Sequence, residues 1–133
     1  MHSIADVVRE IFTRGWGGGG FAGLEEALAG TFTFHVRGTS REMDLDDLAG
    51  IVSAWREGFP DLHFEIDDLV AGDDVVALRA RLIGTHLGRW GDREPTGRRI
   101  EVDHMFFLRF EGRRLVEVFE LLDQAALREQ MEE

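Results

Sequence analysis

The sequence predicts an α+β fold, in which helices from the first half of the chain cover one face of a mainly antiparallel sheet. Apolar residues recur at helical spacing up to Pro60, and they alternate with a period of two after it. Four alternating segments then follow one another, which is typical of an antiparallel meander. A strongly curved sheet of this kind would form a cone that the helices close.

Three helices are expected before the meander. The first follows Ser3, a residue that can cap a helix, and the glycine-rich run Gly15–Gly20 is expected to end it. A short second helix is expected at residues 24–28. The third begins at Asp44 and ends before Pro60. Its apolar stripe consists of Leu45, Leu48, Val52, Trp55 and Phe59.

One short strand is expected at residues 31–36, between the second and third helices. The first two strands of the meander are expected at residues 62–71 and 75–86, followed by a loop. The last two fall within residues 97–123, joined by a tight turn at Glu111-Gly112, and a short helix follows from about Gln124.

Composition limits the classes of protein to which the chain can belong. Its 133 residues suit a single domain spanning residues 1–133. The net charge of −11, without a basic stripe, argues against nucleic acids and anionic membranes as partners. No apolar run is long enough to cross a membrane, and the first residues lack the pattern of a signal peptide, so a cytoplasmic protein is expected.

The chain has no cysteine, which excludes disulfides, a cysteine nucleophile and cysteine-ligated metal sites. Its five histidines show no spacing that is typical of a metal site. The glycine run is not followed by the Gly-Lys-Ser/Thr of a phosphate-binding loop. We therefore expect neither a metal nor a cofactor.

The last two strands carry ionisable side chains on an otherwise apolar face. A two-residue turn at Glu111-Gly112 would place His104 opposite Phe119, with Glu117 diagonal to His104 on the same face. Asp123 would also fall on this face, about 13 Å along the strand from His104. Ionisable groups on a buried face cost free energy unless they are paired or used, so this face is a candidate functional site.

Each candidate also has a purely structural interpretation. A histidine side chain suits proton transfer, but His104 equally fits a core histidine paired with Glu117. Asp123 precedes the last predicted helix and fits a helix N-cap as well as an acid/base. Trp55 is most simply a core residue, although stacking on a flat ligand is an alternative.

Five short segments together resemble the SnoaL-like polyketide cyclases of the NTF2-like superfamily. They follow the order of that family and cover about Leu45 to Asp123: residues 59–62, 84–88, 95–99, 109–112 and 117–123. The resemblance implies an NTF2-like, cone-shaped barrel with a deep apolar pocket and a dimeric assembly. The superfamily hosts many chemistries, so the resemblance indicates the fold more specifically than the reaction.

The resemblance also implies site residues. In the cyclases of this family, an aspartate at the end of the last strand is the acid/base, and a histidine on a neighbouring strand assists it. These roles fall on Asp123 and His104. Phe119 stands where the family frequently has tryptophan. The residues expected to contact substrate are Glu117, Phe119, Phe106, His86, His35 and Trp55.

The function expected on these grounds is a cofactor-independent, aldol-type ring closure of a polyketide-like, carbonyl-rich substrate. Asp123 would remove an acidic proton, and His104 would stabilise the developing oxyanion. The alternatives are another pocket enzyme (an isomerase, an epoxide hydrolase or a cofactor-free oxygenase) and a non-catalytic module that binds a hydrophobic small molecule.

The opposite, outer face of the last strands is also partly apolar, and strands that are apolar on both faces are usually covered on both. We therefore expect a homodimer through the outer sheet face. The apolar residues predicted for that face are Met105, Phe107, Val116, Val118 and Leu122.

Overall fold

The structure, a computed structural model, describes residues 3–132. Three α-helices and six strands give the α+β fold that the sequence predicts. The helices are α1 (Ile4–Glu10), α2 (Leu45–Gly58) and α3 (Gln124–Met131). The strands are β1 (Phe32–Val36), β2 (Thr39–Met43), β3 (His63–Ala71), β4 (Val75–Thr85), β5 (Arg99–Glu111) and β6 (Arg114–Leu122).

The first helix is followed directly by a π-helical segment. Ser3 and Asp6 cap α1 reciprocally, each side chain accepting the other's backbone N–H. The chain then continues as a π-helical segment, Ile11–Gly19, which ends within the glycine run as predicted. Buried Phe12 and Trp16 hold this segment against the sheet, which explains why the glycines do not break the helix sooner.

Two local predictions were wrong. Residues 24–28 form turns with a single helical hydrogen bond, from the Leu28 N–H to the Leu24 carbonyl at 3.0 Å. Strand β2 was not predicted, because four of its five residues are exposed and carry no apolar alternation. Arg37 and Gly38 join it to β1 with positive φ angles of 50° and 77°, as a two-residue hairpin turn requires.

The six strands form one sheet in the order β2-β1-β6-β5-β4-β3. The β3 to β6 meander is antiparallel, as predicted, whereas β1 pairs with β6 in parallel. α1, the π-helical segment and α2 pack on one side of this sheet, which we call the inner face. α3 docks beside β5, where the Gln130 amide exchanges two hydrogen bonds with the backbone of Glu101.

The pairing of β5 with β6 contains a β-bulge that the sequence did not reveal. Next to the turn, Phe110 pairs with Leu115, whereas the next pair along is Arg109 with Glu117. Val116 is therefore an extra residue on β6. Successive side chains of a strand point to opposite faces of the sheet. One extra residue therefore moves every later side chain of β6 to the face opposite the one predicted.

The bulge corrects the predicted faces of β6. Glu117 and Phe119 were expected to share a face with His104, and that prediction was wrong, because both now lie on the outer face. Beyond the bulge, the residues of β6 that face inward are Val118, Glu120 and Leu122. On β5, His104 and Phe106 lie on the inner face as predicted, and both are buried.

Candidate functional site

The inner face of β5 and β6 carries one pair of ionisable side chains, His104 and Glu120. The His104 ring is 1% exposed, and its Nε2 lies 3.5 Å from Glu120 Oε2. Glu120 keeps 14% of its side chain accessible, so the carboxylate is the end of the pair that solvent reaches. The two belong to neighbouring strands, with His104 two positions along β5 from Phe106, the partner of Glu120.

Apolar rings surround His104. Its ring centroid lies 4.3 Å from that of Phe106 and 5.4 Å from that of Phe64. Neither ring nitrogen has a hydrogen-bond partner among residues 3–132. Leaving a buried polar group unsatisfied costs about 1–3 kcal/mol. Such groups are rare in native proteins, and a catalytic role is one explanation for them.

This arrangement can move a proton. A carboxylate can accept one, and an imidazole can both accept and donate one. The 3.5 Å separation is longer than a good N–H···O hydrogen bond, and catalytic hydrogen bonds without substrate are often long. His104 and Glu120 are therefore the best-placed acid/base pair on the inner face.

The interior beside this pair is almost filled. A cavity of about 20 Å³ remains, which is room for about one water molecule. Its lining is entirely apolar: Ile11, Phe12, Trp16, Phe32, Phe34, Leu48, Phe106, Leu108, Leu115 and Val118. Phe106 is the lining residue that also contacts His104. The resemblance implied a deep apolar pocket, and the structure shows its apolar walls closed on one another.

A larger surface cleft of about 550 Å³ lies between residues 23–27 and the β5–β6 hairpin. It is open and lined in part by Glu26, Glu111, Arg113 and Arg114. Within residues 3–132, the buried side-chain N and O atoms that lack a hydrogen-bond partner are on His86 and His104, and neither histidine lines this cleft. Its size alone does not make it the functional site.

Asp123 leaves the sheet at the end of β6. Its carboxylate accepts the Ala126 N–H at 3.0 Å and so caps α3. The side chain is exposed, and the backbone N–H of Asp123 donates to the carbonyl of Asp103 on β5. The prediction that Asp123 shares a face with His104 was wrong, and the N-cap interpretation describes its contacts.

The second histidine–glutamate pair lies on the outer face. His35 Nε2 is 2.8 Å from Glu117 Oε2, and its Nδ1 is 2.7 Å from the Ser40 hydroxyl. Phe119 stacks on the His35 ring at 4.2 Å. The hydrogen bond with His35, with a second from Arg109, holds the pKa of Glu117 below its usual value. These residues are paired with one another and do not reach the inner face.

His86 and Trp55 belong to an aromatic cluster that is separate from His104. His86 is fully buried, stacks on Phe59 at 5.2 Å, and accepts the Thr96 N–H at Nδ1. Burial lowers the pKa of His86, and the charge of Arg93 adds to that effect. Trp55 packs on Trp90 at 4.1 Å. This cluster anchors the loop between β4 and β5 at the end of α2.

Glu120 is the site residue that sequence reasoning missed. Its signal is visible only in retrospect: β6 and its end carry acidic residues in both phases, at Glu117, Glu120 and Asp123. Whichever register the hairpin adopts, one carboxylate therefore faces inward. The register itself decides which one it is.

Within residues 3–132, no three histidine or acidic side chains come together as metal ligands would. In the same part of the chain, no helix combines the length and apolar character that crossing a membrane requires.

Solved structures of similar fold come from several bacteria. A protein from Acidithiobacillus ferrooxidans, provisionally described as a polyketide cyclase, is 23% identical, with a TM-score of 0.83 over 98% of this chain and 96% of that one. IdmH from Streptomyces antibioticus, described in the same provisional way, is 25% identical, with a TM-score of 0.81 over 98% and 99%. AclR from Streptomyces galilaeus, provisionally named a hydroxylase, is 23% identical, with a TM-score of 0.81 over 96% and 94%.

No curated protein matches the chain. The sequence profile of the SnoaL-like polyketide cyclases, by contrast, matches residues 6–131, which is nearly the whole chain. With the six-stranded sheet, its helical cover and the structural neighbours, this match shows that the chain belongs to the SnoaL-like polyketide cyclase family.

Proposed function

We propose that the protein closes a ring in a polyketide-like, carbonyl-rich substrate by general acid/base catalysis, with Glu120 and His104 as the acting pair. Membership of the family supports a cyclase-type role. The observation that carries the assignment to these residues is the buried His104 ring, unpartnered at both nitrogens and 3.5 Å from an inward carboxylate. The reaction we propose needs no cofactor.

In the proposed step, the Glu120 carboxylate removes a proton from a carbon that lies between two carbonyl groups. The electron pair left behind is delocalised into an enolate, and it attacks a second carbonyl carbon of the same molecule to form a carbon–carbon bond. His104 donates a proton to the resulting alkoxide and takes up the proton that Glu120 removed from carbon, so the pair returns to its starting state. The apolar walls strengthen these interactions, because they exclude water.

Two substitutions test this assignment, with one matched control. Glu120→Gln and His104→Gln should each lower turnover by about 10²–10⁴-fold, the usual contribution of a general acid or base. Glu117→Gln makes the same chemical change on the outer face and should retain activity. The assay follows ring closure of poly-β-keto esters by liquid chromatography and mass spectrometry, with oxygen uptake recorded in parallel.

Four results would contradict the proposal. Glu120→Gln could keep full turnover, or Glu117→Gln could lose as much as Glu120→Gln does. Alternatively, the wild type could consume oxygen without closing a ring, which would favour an oxygenase. A protein that binds these compounds and converts none of them would be a binding module.

We also propose that a second copy of the chain covers the outer sheet face. Four large apolar side chains are exposed on β5 and β6: Met105 by 46%, Phe107 by 36%, Phe119 by 40% and Leu121 by 68%. An exposed apolar cluster of this kind marks an interaction site. Val118 and Leu122 were predicted on this outer face, but the bulge places them on the inner face, where they are buried.

Light scattering at micromolar concentration tests this interface. The wild type should have the mass of a dimer, and Leu121→Glu should have the mass of a monomer, because it puts a charge into the apolar cluster. Val70→Glu is the control, since Val70 is equally exposed, at 68%, on β3 at the far edge of the sheet. A monomeric wild type would overturn the proposal.

A further inference from the structure

Trp16 fills the interior next to the proposed acid/base pair. Its side chain is 4% exposed and lines the 20 Å³ cavity. The indole meets Phe64 edge to face, with centroids 5.4 Å apart and planes at 88°. Phe64 in turn lies 5.4 Å from the His104 ring. One aromatic ring therefore separates the indole from His104.

Phe12 completes the same aromatic enclosure from the other side. Its ring lies 4.5 Å from Phe106 and 5.2 Å from Phe64, the two rings that flank His104. Phe12 and Trp16 both come from the π-helical segment Ile11–Gly19. With this segment in place, nothing larger than about one water molecule fits inside. A substrate can reach His104 only if some element moves.

The π-helical segment is held against the sheet by side-chain packing, through the contacts of Phe12 and Trp16 with Phe64 and of Phe12 with Phe106. It ends in a glycine run, with positive φ angles of 91° at Gly18 and 82° at Gly20. At its far end, two arginine side chains donate hydrogen bonds to backbone carbonyls. Arg56 donates to the carbonyl of Trp16 at 3.2 Å, and Arg14 donates to that of Gly20 at 3.0 Å. Neither contact involves a strand, and π-helical turns are frequent at functional sites.

We propose that the Trp16 indole occupies the subsite for a flat, fused-ring part of the ligand. The π-helical segment would move outward, and that ring system would take the place of the indole. This inference rests on the proposed function and identifies Trp16 as the residue that limits substrate size. The vacated space keeps Phe64 and Phe106 of the sheet as walls, and their rings favour a planar aromatic or conjugated group. The polar end of the ligand then meets His104 and Glu120.

The subsite is tested with free indole, the side chain of Trp16 itself. Trp16→Gly should leave an indole-shaped space and bind indole at a one-to-one ratio, saturating below about 1 mM by isothermal titration calorimetry. The wild type should bind at least tenfold more weakly, because its own indole competes. Trp90→Gly is the control, since Trp90 packs on Trp55 away from His104. Equal binding by the two variants, or none by Trp16→Gly, would overturn the subsite.

The movement is tested separately, with Trp16 intact. Because the chain has no cysteine, a single introduced thiol reports exposure without background. Ile11→Cys places it on the segment at a 3% exposed position, and Val76→Cys places it on β4 at a 0% exposed position. We expect a disulfide reagent to label Ile11→Cys at least tenfold faster. Equal rates would mean that the segment opens only when the whole protein unfolds, which would overturn the exchange.

These measurements are independent of the acid/base assignment, since neither follows turnover. If Trp16→Gly does not bind indole but the Glu120 and His104 variants lose turnover, the proposed function stands and the subsite does not. The reverse outcome would leave a gated binding site without the proposed chemistry.

Discussion

The two faces of the sheet each carry a histidine–glutamate pair, and the two pairs differ in solvent exposure and in hydrogen bonding. On the outer face, His35 and Glu117 lie 2.8 Å apart, with 25% and 29% of their side chains exposed. Ser40 and Arg109 satisfy the remaining polar atoms around them. On the inner face, the pair is 3.5 Å apart, and the imidazole is unpartnered and 1% exposed.

This difference shows that residue types alone do not mark a site. The outer pair has the hydrogen bonds that a half-exposed pair needs, and solvent screens its charges. The inner pair keeps polar atoms in an apolar interior at a cost to stability. A protein retains such a cost where the group does something else, so the unsatisfied pair is the functional candidate.

The largest expected effect is a loss of stability at Phe106, on the inner face of β5, compared with its neighbour Phe107 on the outer face. Phe106→Ala should lower the free energy of unfolding by about 3–5 kcal/mol, because it empties a buried position among Phe12, Phe64 and His104. Phe107→Ala removes the same group from the outer face and should cost less than about 1 kcal/mol in dilute protein. Urea unfolding measures both. Similar losses would break the distinction between the faces.

A smaller effect of opposite sign is expected at the inner pair. His104→Leu should raise the free energy of unfolding by about 1 kcal/mol, because it removes two unsatisfied ring nitrogens from an apolar environment. The same change at His35 breaks satisfied hydrogen bonds and should not stabilise the protein. Thermal and urea unfolding of the two variants provide the comparison, and a His104→Leu protein less stable than the wild type would argue for a structural role.

His86 sharpens the comparison through its pH dependence. Burial holds its pKa below the usual 6.5, so the folded protein resists protonation where the unfolded chain accepts it. The stability that neutral His86 contributes is complete above about pH 6.5 and is lost as the pH falls below that value. The melting temperature should therefore fall between pH 7.5 and 5 by more in the wild type than in His86→Asn, whose amide oxygen can still accept the Thr96 N–H. Parallel curves would contradict this.

The smallest effect is expected at the outer pair. Glu117→Gln removes a charge whose partners, His35 and Arg109, are themselves partly exposed. The loss of stability should be far smaller than that of Phe106→Ala and should shrink further at high salt, because salt screens exposed charges. Urea midpoints at low and high salt measure it. A large loss that salt does not reduce would place this pair in a drier environment, such as an interface.

The fold was predictable wherever apolar periodicity was strong. The β3 to β6 meander, α2 and the cap at Asp44 follow from local pattern. Strand β2 did not, because its residues are mostly exposed and only its turn at Arg37 and Gly38 defines it. The expected helix at residues 24–28 failed because propensity over five residues is weak against tertiary contacts.

The site was predictable in part. Alternation along β5 correctly placed His104 on the inner face beside Phe106. The inward-facing carboxylate of β6, Glu120, was not predicted, because a bulge leaves no mark in the periodicity of a strand until the register is known. The role that we propose for Trp16 was also hidden, since a tryptophan at helical spacing looks like any core residue until its neighbours are known.

The extra residue at Val116 has a consequence for tracing this family through its sequences. A comparison that counts along the last strand from the hairpin would transfer a role from a relative without the bulge to Glu117 or Asp123, on the wrong side of the sheet. Loss or gain of one residue at this point during evolution would leave the strand intact. It would change which acidic side chain of that strand lies on the same face as the histidine. Relatives with little sequence in common here can therefore keep the same pair of groups in space, at positions that do not align.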